Sequence, residues 1–162
     1  DGAREGIVVC MERLMSMGIP QENILLYHLA YLFSEGYERT YSSYVKDIPL
    51  QLRLLDAQEL AQYDAIVFCG GNAQTLLDEV NRTGFAKPLK QAIEKGLVYL
   101  GISAGSMIAA GNFPGNLGFL ENPLFPHGGT RAAPGPLCGK APVELADGQL
   151  VWVHGQRAEV LE

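Results

Sequence analysis

The chain has 162 residues, 48% of them apolar and 19% charged, the composition of a soluble globular protein rather than a disordered or fibrous one, and its length suits one α/β domain over residues 1–162. A formal net charge of −6 leaves no basic surface to neutralise a phosphate backbone, so nucleic acid and membrane partners are not expected. Cys10, Cys69 and Cys138 are odd in number and lack the spacing of a disulfide framework or a zinc site. No apolar run reaches bilayer-spanning length, and the first six residues lack the order of a signal peptide. A cytoplasmic protein with no metal and no cofactor is the expectation.

In chain order, Ile7, Val8, Met11, Leu14 and Met15 recur at three- and four-residue steps as far as Gly18, which predicts an amphipathic helix over 7–17 ended by a glycine cap. A helix in first place, where an α/β domain ordinarily opens with a strand, predicts that an N-terminal strand and some loops are missing. The short apolar run Asn23–His28 predicts a strand covered on both faces. Residues 31–55 fit no single period and are expected to be loop and partial helix. Asp56 opens a short helix over 56–62, and Asp64–Cys69 forms a second buried strand ending in Gly70-Gly71.

The cycle then repeats. A helix is expected over 72–79, a break at Arg82-Thr83-Gly84, a helix over 87–95, and a third buried strand over 97–100 running into Gly101-Ile102-Ser103-Ala104-Gly105 and a helix that starts near Met107. Residues 112–142, rich in Gly and Pro, should be mostly loop. The runs 150–153 and 158–161, around a turn at His154-Gly155, should pair as a hairpin. Strands alternating with helices imply a three-layer, mostly parallel central sheet with helices on both faces, closed by the C-terminal β-hairpin.

The chemistry concentrates at the strand ends. A serine in a Gly-x-Ser-x-Gly turn between strand and helix is forced outward at the carboxyl edge of the sheet, which suits Ser103 to a nucleophile and otherwise to a plain helix cap. Gly71 follows the neighbouring strand, so its amide and that of Ala104 could form an oxyanion hole; the plainer reading is a turn capped by Asn72. A serine needs a base, and the histidines are His28, His127 and His154. His127 lies in a glycine-rich loop with freedom to reach a serine. His154, with Asp147 as the acid, would instead give the chain order Ser, acid, His of an esterase-like α/β-hydrolase.

The pair of turns around Cys69-Gly70-Gly71-Asn72 and Gly101–Gly105, followed by Phe125-Pro126-His127, resembles peptidase family S51, which includes aspartyl dipeptidase and cyanophycinase on a flavodoxin-like fold similar to class I glutamine amidotransferases. The resemblance implies a serine peptidase acting on a small peptide through an acyl-enzyme on Ser103. It implies His127 as general base, Asp147 as orienting acid, Gly71 and Ala104 as oxyanion donors, and Asn72 and Arg131 as substrate contacts, Arg131 by likeness to the basic residue that receives an acidic side chain. Glu144 and Glu121 are the substitutes for Asp147, which stands where family members often carry glutamate. The short interval from His127 to Asp147 is a departure from the family's pattern. A non-catalytic amidotransferase-like binding domain is the remaining alternative, and a homo-oligomer is left open.

Overall fold

A computed structural model describes residues 2–28 and 54–162. The expected loop and partial helix over 31–55 lies outside the described residues but for its last two. Contacts gather into two compact units, Asp1–Gly105 and Ser106–Glu162.

The first unit is built on a parallel three-stranded sheet in the order β1-β2-β3, with β1 at Ile24–His28, β2 at Ala65–Cys69 and β3 at Val98–Gly101. Its register pairs Leu26 with Val67 and Val67 with Leu100. Alternation along the strands sorts side chains to two faces. On one, Ile24, Leu26, Ala65, Val67 and Cys69 pack with Ile7, Met11 and Leu14 of helix α1 (Gly2–Ser16). On the other, Phe68 stacks between Tyr27 and Tyr99, with ring centroids at 4.9 and 5.7 Å, and Phe85 meets Tyr27 edge-on at 5.9 Å. Both faces are covered, which is why β2 is buried at every position and why these strands read as unbroken apolar runs. At one edge of this sheet β3 is half-buried, not buried as expected, whereas β1 at the other edge is buried.

Caps define the helices between the strands. Asp56 accepts from the Glu59 amide at 2.9 Å and starts α2 (Ala57–Leu60). Asn72 accepts from the Thr75 amide at 3.0 Å and starts α3 (Ala73–Thr83). The helix runs through the expected break to Gly84, whose left-handed conformation ends it. Helix α4 is Ala86–Glu94. Helix α5 (Ala104–Ala109) begins directly after the Ser103 turn, earlier than the apolar residues alone suggested.

In the second unit the hairpin forms as expected, from β7 (Leu150–His154) and β8 (Arg157–Leu161), and gains a third strand, β5 (Gly135–Pro136), on the far side of β8. Two further short segments, β4 (Leu124–Phe125) and β6 (Val143–Glu144), pair in parallel. Ala110, Leu124, Val143, Leu145 and Val160 form the core beneath them. Asparagine side chains order the polar chain here. Asn112 donates to the Leu124 carbonyl at 2.8 Å and accepts from the Leu124 amide at 2.9 Å, and buried Asn122 donates to the Ala141 carbonyl at 2.9 Å.

The turn from β3 to α5 is the tightest point of the first unit. A Cβ at Gly105 would lie 2.0 Å from the Phe68 carbonyl oxygen, a backbone atom of the central strand that has no room to yield. Gly105→Ala should therefore destabilise the chain by about 3 kcal/mol or more, measured by denaturant unfolding against the wild type, whereas Gly118→Ala, where a Cβ meets open space, should cost less despite its positive φ.

Candidate active site

Only two non-glycine residues among those described have positive φ, Ser103 at 52° and His127 at 60°. Each such conformation costs roughly 1–3 kcal/mol, persists only where the surroundings enforce it, and gathers at functional sites. Both residues are ones that the sequence marks for chemistry.

At Ser103 the enforcement is visible. Strand β3 ends in register with β2, Gly101 opposite Phe68, and the Ile102 amide donates to the Phe68 carbonyl at 2.8 Å. That carbonyl also fills the space of the missing Gly105 side chain. The Tyr99 hydroxyl donates to the Gly105 carbonyl at 2.6 Å, tying the strand to the start of the helix. Burial pushes the ionisation of that hydroxyl far up, with the nearby Cys69 adding to the shift, so Tyr99 acts as a neutral donor. Between these ties the backbone at Ser103 must fold back on itself. No sequence signal singles out Tyr99 beyond its place four residues before the serine.

Gly70 and Gly71 carry φ of 77° and 89° just after β2, beside the end of β3, so the two turns expected to supply oxyanion donors occupy carboxyl ends of neighbouring strands. The Asn72 side-chain oxygen serves the α3 cap and also accepts from the Thr75 hydroxyl at 3.2 Å. Cys69, under this edge, donates weakly to the Tyr27 carbonyl at 3.5 Å, and burial pushes its thiol up to about 12. It is a packed, protonated side chain at neutral pH rather than a nucleophile.

In the second unit His127 and Asp147 come together: Nδ1 of the imidazole lies 2.8 Å from the Asp147 carboxylate. Strand pairing explains it. Phe125 of β4 stands opposite Glu144 of β6, and the ladder continues as the Leu145 amide donates to the Phe125 carbonyl and the Gly128 amide to the Leu145 carbonyl. His127 and Asp147 therefore leave the same end of two parallel strands. Asp147 sits in a tight turn closed by the Gln149 amide on the Ala146 carbonyl, with Gly148 at φ 90° supplying the left-handed conformation such a turn requires. The two side chains are 65% and 85% exposed, so the pair itself contributes no more than about 1 kcal/mol, and its geometry depends on the backbones that hold it.

The other candidates separate. Glu121 pairs with Lys140 at 3.4 Å. Glu144 is exposed within the ladder, at the end of β6. His154 ends β7 at the hairpin turn. It is to His127 that the Asp147 carboxylate is bonded. Arg131 borders an open hollow of about 580 Å³ with Phe125, Thr130, Pro142 and Glu144, and its guanidinium is paired with Glu162. No group of His, Cys, Asp and Glu side chains that could hold a metal occurs among the described residues.

Known proteins resemble part of this chain. The family model of peptidase family S51 matches residues 43–116, which take in both glycine turns and Ser103. Through this segment the chain is similar to peptidase family S51. A stretch of 54 residues is 46% identical to an uncharacterized peptidase of Pasteurella multocida, covering 33% of this chain and 26% of that protein, and 51 residues are 43% identical to Peptidase E of Streptomyces coelicolor, covering 32% and 21%. The matched stretches thus span about a quarter of these curated relatives. A crystal structure from Listeria monocytogenes EGD-e, of a protein provisionally assigned as peptidase E, superposes with a TM-score of 0.65 at 14% identity over 94% of this chain and 92% of that one. That likeness shows that this chain shares the α/β fold of that structure. No helix among the described residues is long and apolar enough to cross a membrane.

Tyr99→Phe removes the hydroxyl that ties β3 to α5 and should lower stability by about 1 kcal/mol, the worth of one buried hydrogen bond, read from the denaturant midpoint at unchanged slope. Cys69 should react with a thiol reagent at neutral pH only as the chain unfolds, whereas exposed Cys138 reacts in the folded chain, which timed labelling with peptide mapping resolves.

Proposed function

We propose that the chain is a serine peptidase acting on a short peptide, with Ser103 as nucleophile, His127 as base and Asp147 as its orienting acid. The observation that carries this reading is the His127–Asp147 contact at Nδ1. An acid on Nδ1 fixes the tautomer in which Nε2 is bare and can accept a proton, the role a base needs beside a serine, and it stabilises the imidazolium that forms.

In this mechanism the Ser103 oxygen attacks the amide carbon while its proton passes to His127 Nε2. The backbone amides of Gly71 and Ala104 hold the negative oxygen of the tetrahedral intermediate. His127 then returns the proton to the leaving amine, an acyl-enzyme remains on Ser103, and water activated by the same imidazole releases the acid product. Neither metal nor organic cofactor enters these steps.

Asn72, its oxygen held by the α3 cap, presents its amide nitrogen as a donor to substrate. Arg131 borders the hollow on the histidine-bearing unit and suits an acidic substrate side chain, which must displace Glu162 from the guanidinium. The esterase-like reading through His154 has less support, since the acid it requires is bonded to a different histidine. A small peptide fits the acidic chain as partner, and a cytoplasmic setting fits its free cysteines.

Hydrolysis of a panel of dipeptides with acidic and neutral first residues is the direct test. Ser103→Ala and His127→Ala should each lower kcat/KM by about 10⁴-fold or more, while His154→Ala leaves it within about twofold. Arg131→Ala should raise KM for the acidic members alone. Full activity in His127→Ala with loss in His154→Ala would establish the alternative base.

A further inference from the structure

The Asp147 turn is held from a second direction by a residue that neither the motif nor the triad involves. Gln149 closes the turn through its own backbone, its amide donating to the Ala146 carbonyl at 3.1 Å, and its side-chain oxygen accepts from the Ala146 amide at 3.1 Å. One residue therefore grips both polar backbone groups of Ala146, with Asp147 and Gly148 arched between. The same side chain reaches across to the segment that carries Arg131: Oε1 also accepts from the Ala132 amide at 2.9 Å and Nε2 donates to the Ala132 carbonyl at 2.8 Å. Nε2 further approaches the Glu162 carboxylate, the partner of Arg131, at 3.5 Å.

This pattern exceeds what a surface turn needs. A glutamine amide has one acceptor oxygen and one donor group, and here the oxygen serves two backbone amides while the nitrogen serves a backbone carbonyl and a carboxylate. The paired contact on Ala132 copies the exchange between neighbouring strands, so the 130–132 segment and the Asp147 turn are held as if they belonged to one sheet. The need is physical. His127 and Asp147 are largely exposed and water competes for their contact, so what keeps the carboxylate on Nδ1 is the fixed position of the turn rather than the strength of the bond.

We infer that Gln149 is a positioning residue which holds the Asp147 carboxylate on His127 Nδ1 and couples that turn to the Arg131 segment, so that acid placement and substrate side-chain recognition depend on one amide. The inference rests on the peptidase reading for its meaning in catalysis, but its structural content, the state of the His127 ring, can be read without substrate.

The test is the tautomer of His127 by nitrogen-15 NMR with the ring neutral, in the wild type, Gln149→Ala, Gln149→Glu and Asp147→Asn, together with hydrolysis of the dipeptide panel. The wild type should show the proton on Nδ1. Gln149→Ala should shift the ring toward a mixture of tautomers and lower kcat by about tenfold, with KM for acidic peptides rising as well. Gln149→Glu keeps the oxygen that faces the Ala132 and Ala146 amides, so it should retain more of the Nδ1 proton than Gln149→Ala does. Amide spectra unchanged outside residues 127–149 separate this local effect from unfolding. A wild-type tautomer in Gln149→Ala would overturn the inference, as would an equal loss in Gln149→Glu. If Asp147→Asn changes the tautomer but no variant alters hydrolysis, the catalytic reading of the pair fails while the positioning role stands or falls by the tautomer alone.

Discussion

The structure of the first unit turns on one close approach, the backbone of Gly105 against the carbonyl oxygen of Phe68. Because Gly105 carries no side chain, the chain leaving β3 can pass directly over the end of β2 and enter α5 without a connecting loop. The Phe68 carbonyl accepts from the Ile102 amide just before this crossing, and the Tyr99 hydroxyl holds the Gly105 carbonyl just after it. Ser103, between these ties, takes a backbone conformation that an L-residue does not choose alone. Phe68 also carries the aromatic stacking of the sheet face, so one residue of the core borders the turn that holds Ser103.

The second unit reaches a similar end by other means. Three of its strands, β4, β5 and β6, span only two residues each, and its polar segments are ordered by asparagine and glutamine side chains that stand in for strand partners. Rigid placement of an exposed ion pair has to come from the backbone, because the attraction of exposed charges is too weak to fix two side chains. The parallel pairing of β4 with β6 sets His127 and Asp147 at one end, and the turn at 146–149 completes the placement. His127, like Ser103, has a positive φ, a conformation that gathers at functional sites.

Much of this was legible in the sequence, and the limits have physical causes. Continuous apolar runs revealed β1, β2 and β3 because both faces of their sheet are covered, and Gly84 and Asn72 marked helix ends by their conformational and capping chemistry. The Gly-x-Ser-x-Gly pattern pointed to Ser103 because only glycine tolerates the crossing at 105. By contrast β4, β5 and β6 span two residues each, too few for any period, so the ladder that unites His127 with Asp147 could be reached only through the family resemblance. Half-burial of β3 was missed because an apolar run reads the same whether its strand is fully or only partly covered. Gln149 carried no signal at all: its role comes from partners 3 and 17 residues away that no local pattern connects.

The proposed role of Ser103 as nucleophile can be read from the site of covalent modification. The chain would be treated with a fluorophosphonate, which captures activated serines, and the adduct located by mass spectrometry of its peptides. The account predicts a single adduct on Ser103, absent from chain unfolded before treatment. Failure to label Ser103 under conditions where a known serine peptidase reacts, or an adduct at another serine, would contradict it.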